Sequence, residues 1–378
     1  MKTKTINFNE PFLTGNEEDY MSKVFKDKVF YGTGDFTKKV TKKIQQILDV
    51  PFVLLTDSCT SALEISSLCI HDEKEKNEII IPSYTFSSTA NSFAKHGYDI
   101  KFVDISPSDM MISSEILQEN ISSKTKAVVA VHYGSHIADV EQLKKICELN
   151  DILLIEDAAQ AFGSKINNKN VGTYGNYGCF SFHETKNLHC GLGGAFVTDS
   201  EKSYEKAVMI WERGTNRQQK LRGLVDKYTW RELGGSHYPS EMQAAFLLAQ
   251  LEEIENNFSK RKEVYNFYLE ALESLEKKSY FFVPKLKENV ESNYHSFYII
   301  TRNCDERDNL MGFLLKNNIH AYVGYEPLHS SPMGKRIFSG NLHTTDEYAS
   351  RILRLPFHNN LTEDDLHIVT SKIKDFYE

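Results

Sequence analysis

Gly178-Cys179-Phe180-Ser181-Phe182-His183-Glu184-Thr185-Lys186-Asn187, continued by Gly191-Leu192-Gly193-Gly194-Ala195, is the run on which the reading of this chain turns. Cys179 to Phe182 is a short apolar run that breaks into a polar turn, and Ala195 to Thr198 is a second apolar run beyond the glycines. The pattern predicts strand, turn, strand, with Lys186 at the tip between two buried elements. A lysine so placed is a candidate imine-forming nucleophile, because burial disfavours its charged form and frees the amine. The plainer alternative is a solvated loop lysine, and only the surrounding chain decides.

Upstream, Phe52-Val53-Leu54-Leu55 predicts a strand that runs through Thr56-Asp57-Ser58-Cys59-Thr60-Ser61 into a helix holding Ala62, Leu63, Ile65 and Leu68. The first N–H groups of such a helix favour an anion. Thr60 and Ser61 either add hydroxyl donors to that anion or merely cap the helix. Glu78 to Pro82 is the next strand, and Tyr84 after it either stacks on a planar ligand or fills the core. Ile100 to Asp104 and Ala127 to Val131 repeat the short apolar strand, with a helix carried between them by Asp109 to Thr125. Asp139 to Leu149 is another helix. Strand Ile152 to Ile155 ends in Glu156-Asp157-Ala158-Ala159-Gln160. Ligands of an open parallel sheet bind beyond the carboxyl ends of its strands, so Asp157 either faces a ligand or caps the next helix. Strands separated by helices in this way predict a doubly wound α/β domain.

Downstream, a helix from Ala207 to Arg213 precedes a polar stretch, Thr215 to Trp230, too long and too rich in Arg, Trp and Tyr for a plain connector. It reads as a binding or interface loop. Glu241 to Glu255 predicts an amphipathic helix on Met242, Ala245, Phe246, Leu248 and Leu251, interrupted near Asn256-Asn257 before it resumes. From about residue 280, strand Phe297 to Thr301, helix Arg307 to Lys316, strand Ala321 to Tyr325 and a helix from Glu363 predict a small α+β unit. The expected division is a large domain with an N-terminal arm, residues 1–250, and a smaller C-terminal domain, residues 251–378.

With 378 residues, 40% hydrophobic and 25% charged, the chain is ordinary globular material. Its net charge of −8 argues against nonspecific binding to nucleic acid or an anionic membrane. A phosphate site must therefore be built locally. Cys59, Cys69, Cys147, Cys179, Cys190 and Cys304 are scattered without a C-x-x-C pair, which predicts reduced thiols and no metal site. The first residues lack an apolar signal-peptide core, and no apolar run approaches membrane-spanning length, so a cytoplasmic location is expected.

Taken together, a hydroxyl-rich helix start, an aromatic, an aspartate and a lysine at strand ends are the set that pyridoxal 5′-phosphate demands. That cofactor is a planar pyridinium bearing an aldehyde and a phosphate, and its ring nitrogen stays protonated opposite a carboxylate. Ser58 to Leu63, Pro82-Ser83-Tyr84-Thr85, Glu156 to Gln160, Ser181 to Asn187 and Ser240-Glu241-Met242-Gln243-Ala244-Ala245 carry a resemblance that runs from Thr33-Gly34 to Leu355-Pro356. On these motifs the chain resembles the sugar-nucleotide branch of the fold-type I pyridoxal phosphate aminotransferases, the DegT/DnrJ/EryC1/StrS family.

The resemblance implies a fold of the aspartate aminotransferase kind. Lys186 is then the Schiff-base lysine that also shuttles the proton, with pyridoxamine 5′-phosphate as the intermediate cofactor form. It implies that Asp157 pairs with the ring nitrogen, Gln160 approaches the ring hydroxyl, Tyr84 stacks on the ring, and Thr60, Ser61 and Ser181 hold the phosphate. Asn187 and His329 are implied near the sugar nucleotide. A homodimer with its active sites at the subunit interface is implied too. The family usually completes the phosphate site with the neighbouring subunit's Asn in a Gly-Tyr-Asn-Tyr-Arg run; this chain reads Gly234-Gly235-Ser236-His237-Tyr238, leaving Ser236 as the substitute. His183 to Asn187 and Gly214 to Arg231 are most similar to members that aminate dTDP-4-dehydro-6-deoxyglucose at C4″ with L-glutamate, which leaves as 2-oxoglutarate. A C3 aminotransferase on the isomeric 3-keto sugar, and an inactive fold kept for regulation, are the alternatives. A dehydratase of this family would carry His where Lys186 stands.

Overall fold

In the computed structural model, which describes residues 4–71 and 76–378, a seven-stranded sheet forms the centre of the larger unit. Its strands are β1 (Phe52–Thr56), β2 (Glu78–Pro82), β3 (Asp99–Val103), β4 (Thr125–Val131) and β5 (Leu153–Asp157), with β8 (Tyr177–Ser181) and β9 (Gly194–Thr198). Between β5 and β8 lie two short strands, β6 (Lys165–Ile166) and β7 (Lys169–Asn170), which belong to a separate sheet. The central order is β1-β9-β8-β5-β4-β2-β3. Strands β3, β2, β4, β5 and β8 run parallel, while β9 lies antiparallel to both β8 and β1. Most of the strand residues are apolar because both faces of the sheet are covered. Successive residues serve opposite cores: Ile80, Val128 and Leu154 point into one cluster, Ile79, Ile81, Val129 and Ile155 into the other.

One face is covered by α1 (Glu17–Asp27), α2 (Asp35–Leu48) and others that follow along the chain. Phe36, Val40, Ile44 and Leu48 bury the four-residue stripe of α2. Helices α3 (Cys59–Cys69), α4 (Ser87–Ala94), α5 (Ser114–Asn120) and α6 (Val140–Leu149) connect the parallel strands. After β9 come α7 (Glu201–Trp211), the short α8 (Arg217–Leu221) and α9 (Glu241–Glu252), then the long α10 (Ile254–Lys277). The break falls at Glu253, ahead of the expected Asn256-Asn257. Glu241, in the first turn of α9, also caps α2: its carboxylate accepts from the N–H groups of Gly34 at 3.0 Å and Phe36 at 2.9 Å, and from the Thr37 hydroxyl.

The second unit has a four-stranded sheet, β10-β12-β14-β13, made of β10 (Phe281–Phe282), β12 (Tyr298–Thr301), β13 (Tyr322–Val323) and β14 (Ile352–Arg354). Strand β11 (Val290–Glu291) instead reaches back to pair with β6. Its apolar core runs from Val264 to Ile373 and takes in Ile6. The N-terminal arm, grouped with the larger unit in the sequence reading, touches both. Ile6 bridges to Ile319 and the Phe8 carbonyl accepts from Phe357 N–H, whereas the Phe12 carbonyl accepts from Gln250 on α9. All six cysteines are free. Among the described residues, no helix is long and apolar enough to cross a membrane, and no cluster of three His, Cys, Asp or Glu groups could hold a metal ion.

Candidate active site

At the carboxyl ends of β4, β5 and β8 the two units enclose a cavity of about 560 Å³. Lys186 stands on the loop joining β8 to β9. That loop is closed by backbone bonds from Phe182 to Gly193, Cys190 to Phe182 and Lys186 to His183, so the lysine has a fixed base. Asp157, the last residue of β5, lines the same cavity with Thr60, Gln160 and Ser181. Five of the sequence-derived candidates therefore converge.

Electrostatics follow from enclosure. Burial holds the Lys186 amine below the usual lysine range; the positive Arg354 adds to this, while Cys59 and Asp157 oppose it. Burial likewise pushes the Asp157 carboxyl up, against hydrogen bonds from Thr89 and Ala159 and the charges of Lys186 and His132. A cation set against Asp157 would return it to the charged form. Gln160 is oriented at both ends: its Oε1 accepts from Gly134 N–H at 2.6 Å and its Nε2 donates to the Tyr325 hydroxyl at 2.8 Å.

The remaining candidates stand elsewhere. Tyr84 does not face the cavity. The chain bends after β2 and turns this ring against Tyr133 and Tyr325, centroids 4.9 and 5.9 Å away. Its hydroxyl donates to Tyr133 and fills the space that Gly324 leaves by lacking a side chain. Phe86, two residues on and 58% exposed, lines the cavity where Tyr84 does not. The Ser61 hydroxyl is turned aside to Asp57 Oδ1 at 2.5 Å, and Ser58, the N-cap of α3, lines the wall in its stead. Asn187 is a buried strut: its Nδ2 donates to the Asn293 carbonyl at 2.6 Å and its Oδ1 meets His295 Nδ1 at 2.8 Å. His329 is likewise internal, its Nδ1 2.7 Å from Ser83 Oγ and its Nε2 3.4 Å from Asp346. Ser236 forms a bridge with Glu212 outside this cavity, on the segment that the resemblance assigns to a neighbouring subunit's site.

Several lining residues escaped the sequence reading: Ser58, Phe86 and His132 from the larger unit, His295, Tyr325 and Arg354 from the smaller, and Phe8 from the arm. His132 follows β4 as Asp157 ends β5, so the strand-end rule itself pointed to it. It accepts from Ala138 N–H at Nδ1, which leaves Nε2 to donate to Glu156 at 3.3 Å. Glu156 in turn gathers the N–H groups of Gly172, Tyr174 and Gly175 at 2.6–2.7 Å and so shapes the approach to β8.

These residues fit pyridoxal phosphate. The first N–H groups of α3 have no acceptor within the helix, and with Ser58, Thr60 and Ser181 beside them they suit a phosphate. Gly194 lets β9 pass flush against that helix start, since a Cβ there would run into the Ser58 backbone. Phe86 offers a face to a ring, Asp157 a carboxylate to a ring nitrogen, and Lys186 an amine to an aldehyde.

Comparison with known proteins agrees with that chemistry. The profile of the DegT/DnrJ/EryC1/StrS aminotransferase family matches residues 12–374. The chain is 27% identical to the GDP-perosamine synthase of Escherichia coli O157:H7, covering 99% of each. It is 32% identical to a pleiotropic regulatory protein of Geobacillus stearothermophilus, over 80% of this chain and 78% of that one. Among solved structures it resembles a Helicobacter pylori aminotransferase involved in the biosynthesis of pseudoaminic acid, with a TM-score of 0.91, 25% identity and 99% of each chain covered. The chain belongs to the DegT/DnrJ/EryC1/StrS aminotransferase family, as a sugar aminotransferase whose cofactor is pyridoxal 5′-phosphate.

Proposed function

We propose that this enzyme moves the amino group of L-glutamate to C4″ of dTDP-4-dehydro-6-deoxyglucose, giving a dTDP-4-amino-4,6-dideoxyhexose of galacto configuration for surface polysaccharide. The observation that carries the reading is the enclosure of Lys186 and Asp157 in one cavity at the strand ends. When bound, pyridoxal phosphate supplies an aldehyde that carries the amino group and a ring that withdraws electrons from the reacting carbon. Lys186, kept below the usual lysine range by burial, takes the proton from Cα of the donor and delivers one to C4″ of the acceptor. Asp157 would keep the proton on the cofactor's ring nitrogen, Gln160 and Phe86 would hold its ring, and Ser58, Thr60 and Ser181 would hold its phosphate.

The active form is a homodimer in the cytoplasm. The segment from α8 to Leu233 supports it, because Leu221, Leu224, Trp230 and Leu233 stand 57–75% exposed, an apolar surface suited to a second copy. Ser236, at the end of that segment, then reaches the partner's phosphate site.

A GDP-linked 4-keto sugar is the second reading, favoured by two relatives called GDP-perosamine synthase, at 27% and 26% identity. The test is to offer dTDP- and GDP-linked 4-keto-6-deoxyhexoses with glutamate and to determine the product by NMR. An amine at C4″ of the dTDP sugar is expected. Reaction only with the GDP sugar selects the second reading, and an amine at C3″ overturns both. Borohydride reduction and peptide mapping should place the cofactor on Lys186.

A further inference from the structure

A second, smaller cavity of about 10 Å³ adjoins Lys186, walled also by Gln160, Asn187, Asn293 and His295. That is room for one water. Asn293, only 3% exposed, donates from Nδ2 to the carbonyls of Gln160 at 2.9 Å and Phe162 at 3.1 Å, while its Oδ1 has no partner among the described residues. Asn187 Nδ2 donates to the Asn293 carbonyl, so Asn187 Oδ1, 2.8 Å from His295 Nδ1, is an acceptor and the ring carries its proton on Nδ1. His295 Nε2 is left with its lone pair and makes no hydrogen bond among the described residues. Burial, with the charges of Lys186, Arg261 and Arg354 beside it, holds this ring well below the usual histidine range, so it stays a neutral acceptor. Two acceptors without partners and one amine thus border a space of the right size for a water.

We propose that the smaller cavity is a water site, and that its water ties the Lys186 amine to His295. The water donates to Asn293 Oδ1 and to His295 Nε2 and accepts from Lys186 Nζ, three bonds in all, the usual number for a buried water. The inference rests on the reading of Lys186 as the cofactor-bearing lysine and gives that lysine a place to stand when it is free. While the amine carries a proton, the water accepts from it and passes the hydrogen bond on to the neutral ring, which takes no proton itself. His295 is therefore a positioning residue that acts through the water, and it favours the charged amine against the burial that opposes it. Cys59 on α3 and Asp157 on β5 act in the same sense and Arg354 on β14 against it, but these line the larger cavity, as do His132 and His183. Among the described residues, Lys186 and His295 are the titratable groups that line the smaller one.

The experiment starts from the holoenzyme in its pyridoxamine phosphate form, in which Lys186 is free. Its crystal structure should show one ordered water within hydrogen-bond distance of Lys186 Nζ, His295 Nε2 and Asn293 Oδ1. A cavity without a water, or a water out of reach of the lysine, overturns the proposal. Stopped-flow recovery of the visible cofactor band on adding 2-oxoglutarate gives the second readout. Lys186 must be uncharged to take a proton, so recovery quickens as pH rises. In His295→Phe that rising limb should move down by about one pH unit, because the charged amine loses its acceptor. His295→Gln, which keeps an acceptor, should return the limb most of the way. A limb that stays in place in His295→Phe overturns the proposal, whereas a merely structural loss lowers the amplitude at every pH alike. A retained visible band shows that each variant has folded. Borohydride reduction and peptide mapping separate this inference from the reading beneath it. Label on another lysine removes both, and label on Lys186 with no bridging water removes the inference alone.

Discussion

The Thr89 hydroxyl donates to Asp157 Oδ2 across 2.7 Å, tying the first turns of α4 to the carboxylate at the end of β5. This bond favours the ionised carboxylate against the burial that opposes it. Thr89→Val should therefore lower kcat about tenfold, since a hydrogen bond to a charged group contributes roughly 1.5–3 kcal/mol. The low-pH limb of the rate profile should move upward. Thr89→Ser, which keeps the hydroxyl, should restore both. A pH–rate series on the three proteins measures this.

Phe86 lines the cavity and Tyr84 packs beside it on Tyr133 and Tyr325, so their variants should separate cleanly. Phe86→Ala should release the cofactor more readily, about tenfold in its dissociation constant, because a stacked ring contributes roughly 1–1.5 kcal/mol beyond its area. Tyr84→Phe should bind cofactor normally but lose about 1 kcal/mol of stability. It gives up the bonds of the Tyr84 hydroxyl to the Tyr133 hydroxyl and the Tyr325 N–H. Spectroscopic titration with pyridoxal phosphate and urea unfolding provide the two readouts.

Arg261 is buried in the first half of α10 and spans three neutral acceptors: the carbonyls of Tyr294 and His295 and the side chain of Asn359. Burial pulls its guanidinium down to about 9. Arg261→Met should cost about 3 kcal/mol or more by stranding those acceptors. It should also speed amide exchange across residues 293–297, the segment that brings His295 and Ser296 to the cavity.

His136 lies in the turn after β4, against the Tyr298 ring and near Lys287, and burial lowers its pKa from 6.5 to about 4. The folded state therefore favours the neutral ring. As pH falls through 6.5 the unfolded chain takes up the proton first, so stability is lost between pH 6.5 and about 4. Between pH 7 and pH 5 this one group should remove about 2 kcal/mol. His136→Phe should flatten that part of the pH dependence in urea unfolding.

The parallel strands and the Lys186 turn were legible because each is a local pattern: an apolar run between polar breaks, then a glycine cluster where strand meets turn. Asp157 was legible through its place at a strand end. Tyr84 and Phe86 could not be ranked, because a bend of three residues decides which ring lines the cavity, and the space that Tyr84 fills belongs to Gly324, far along the chain. Ser61 misled for a similar reason, since Asp57 competes for its hydroxyl. Arg354 and Phe8 were invisible. They lie 346 positions apart and meet only when both units are assembled.

That meeting makes one wall of the pocket a product of long-range assembly. Phe8 and Arg354 come together only where the arm crosses onto the smaller unit, so the wall they share is absent from either unit taken alone. A change that loosened the arm would open that side of the pocket without touching Lys186 or the strand ends.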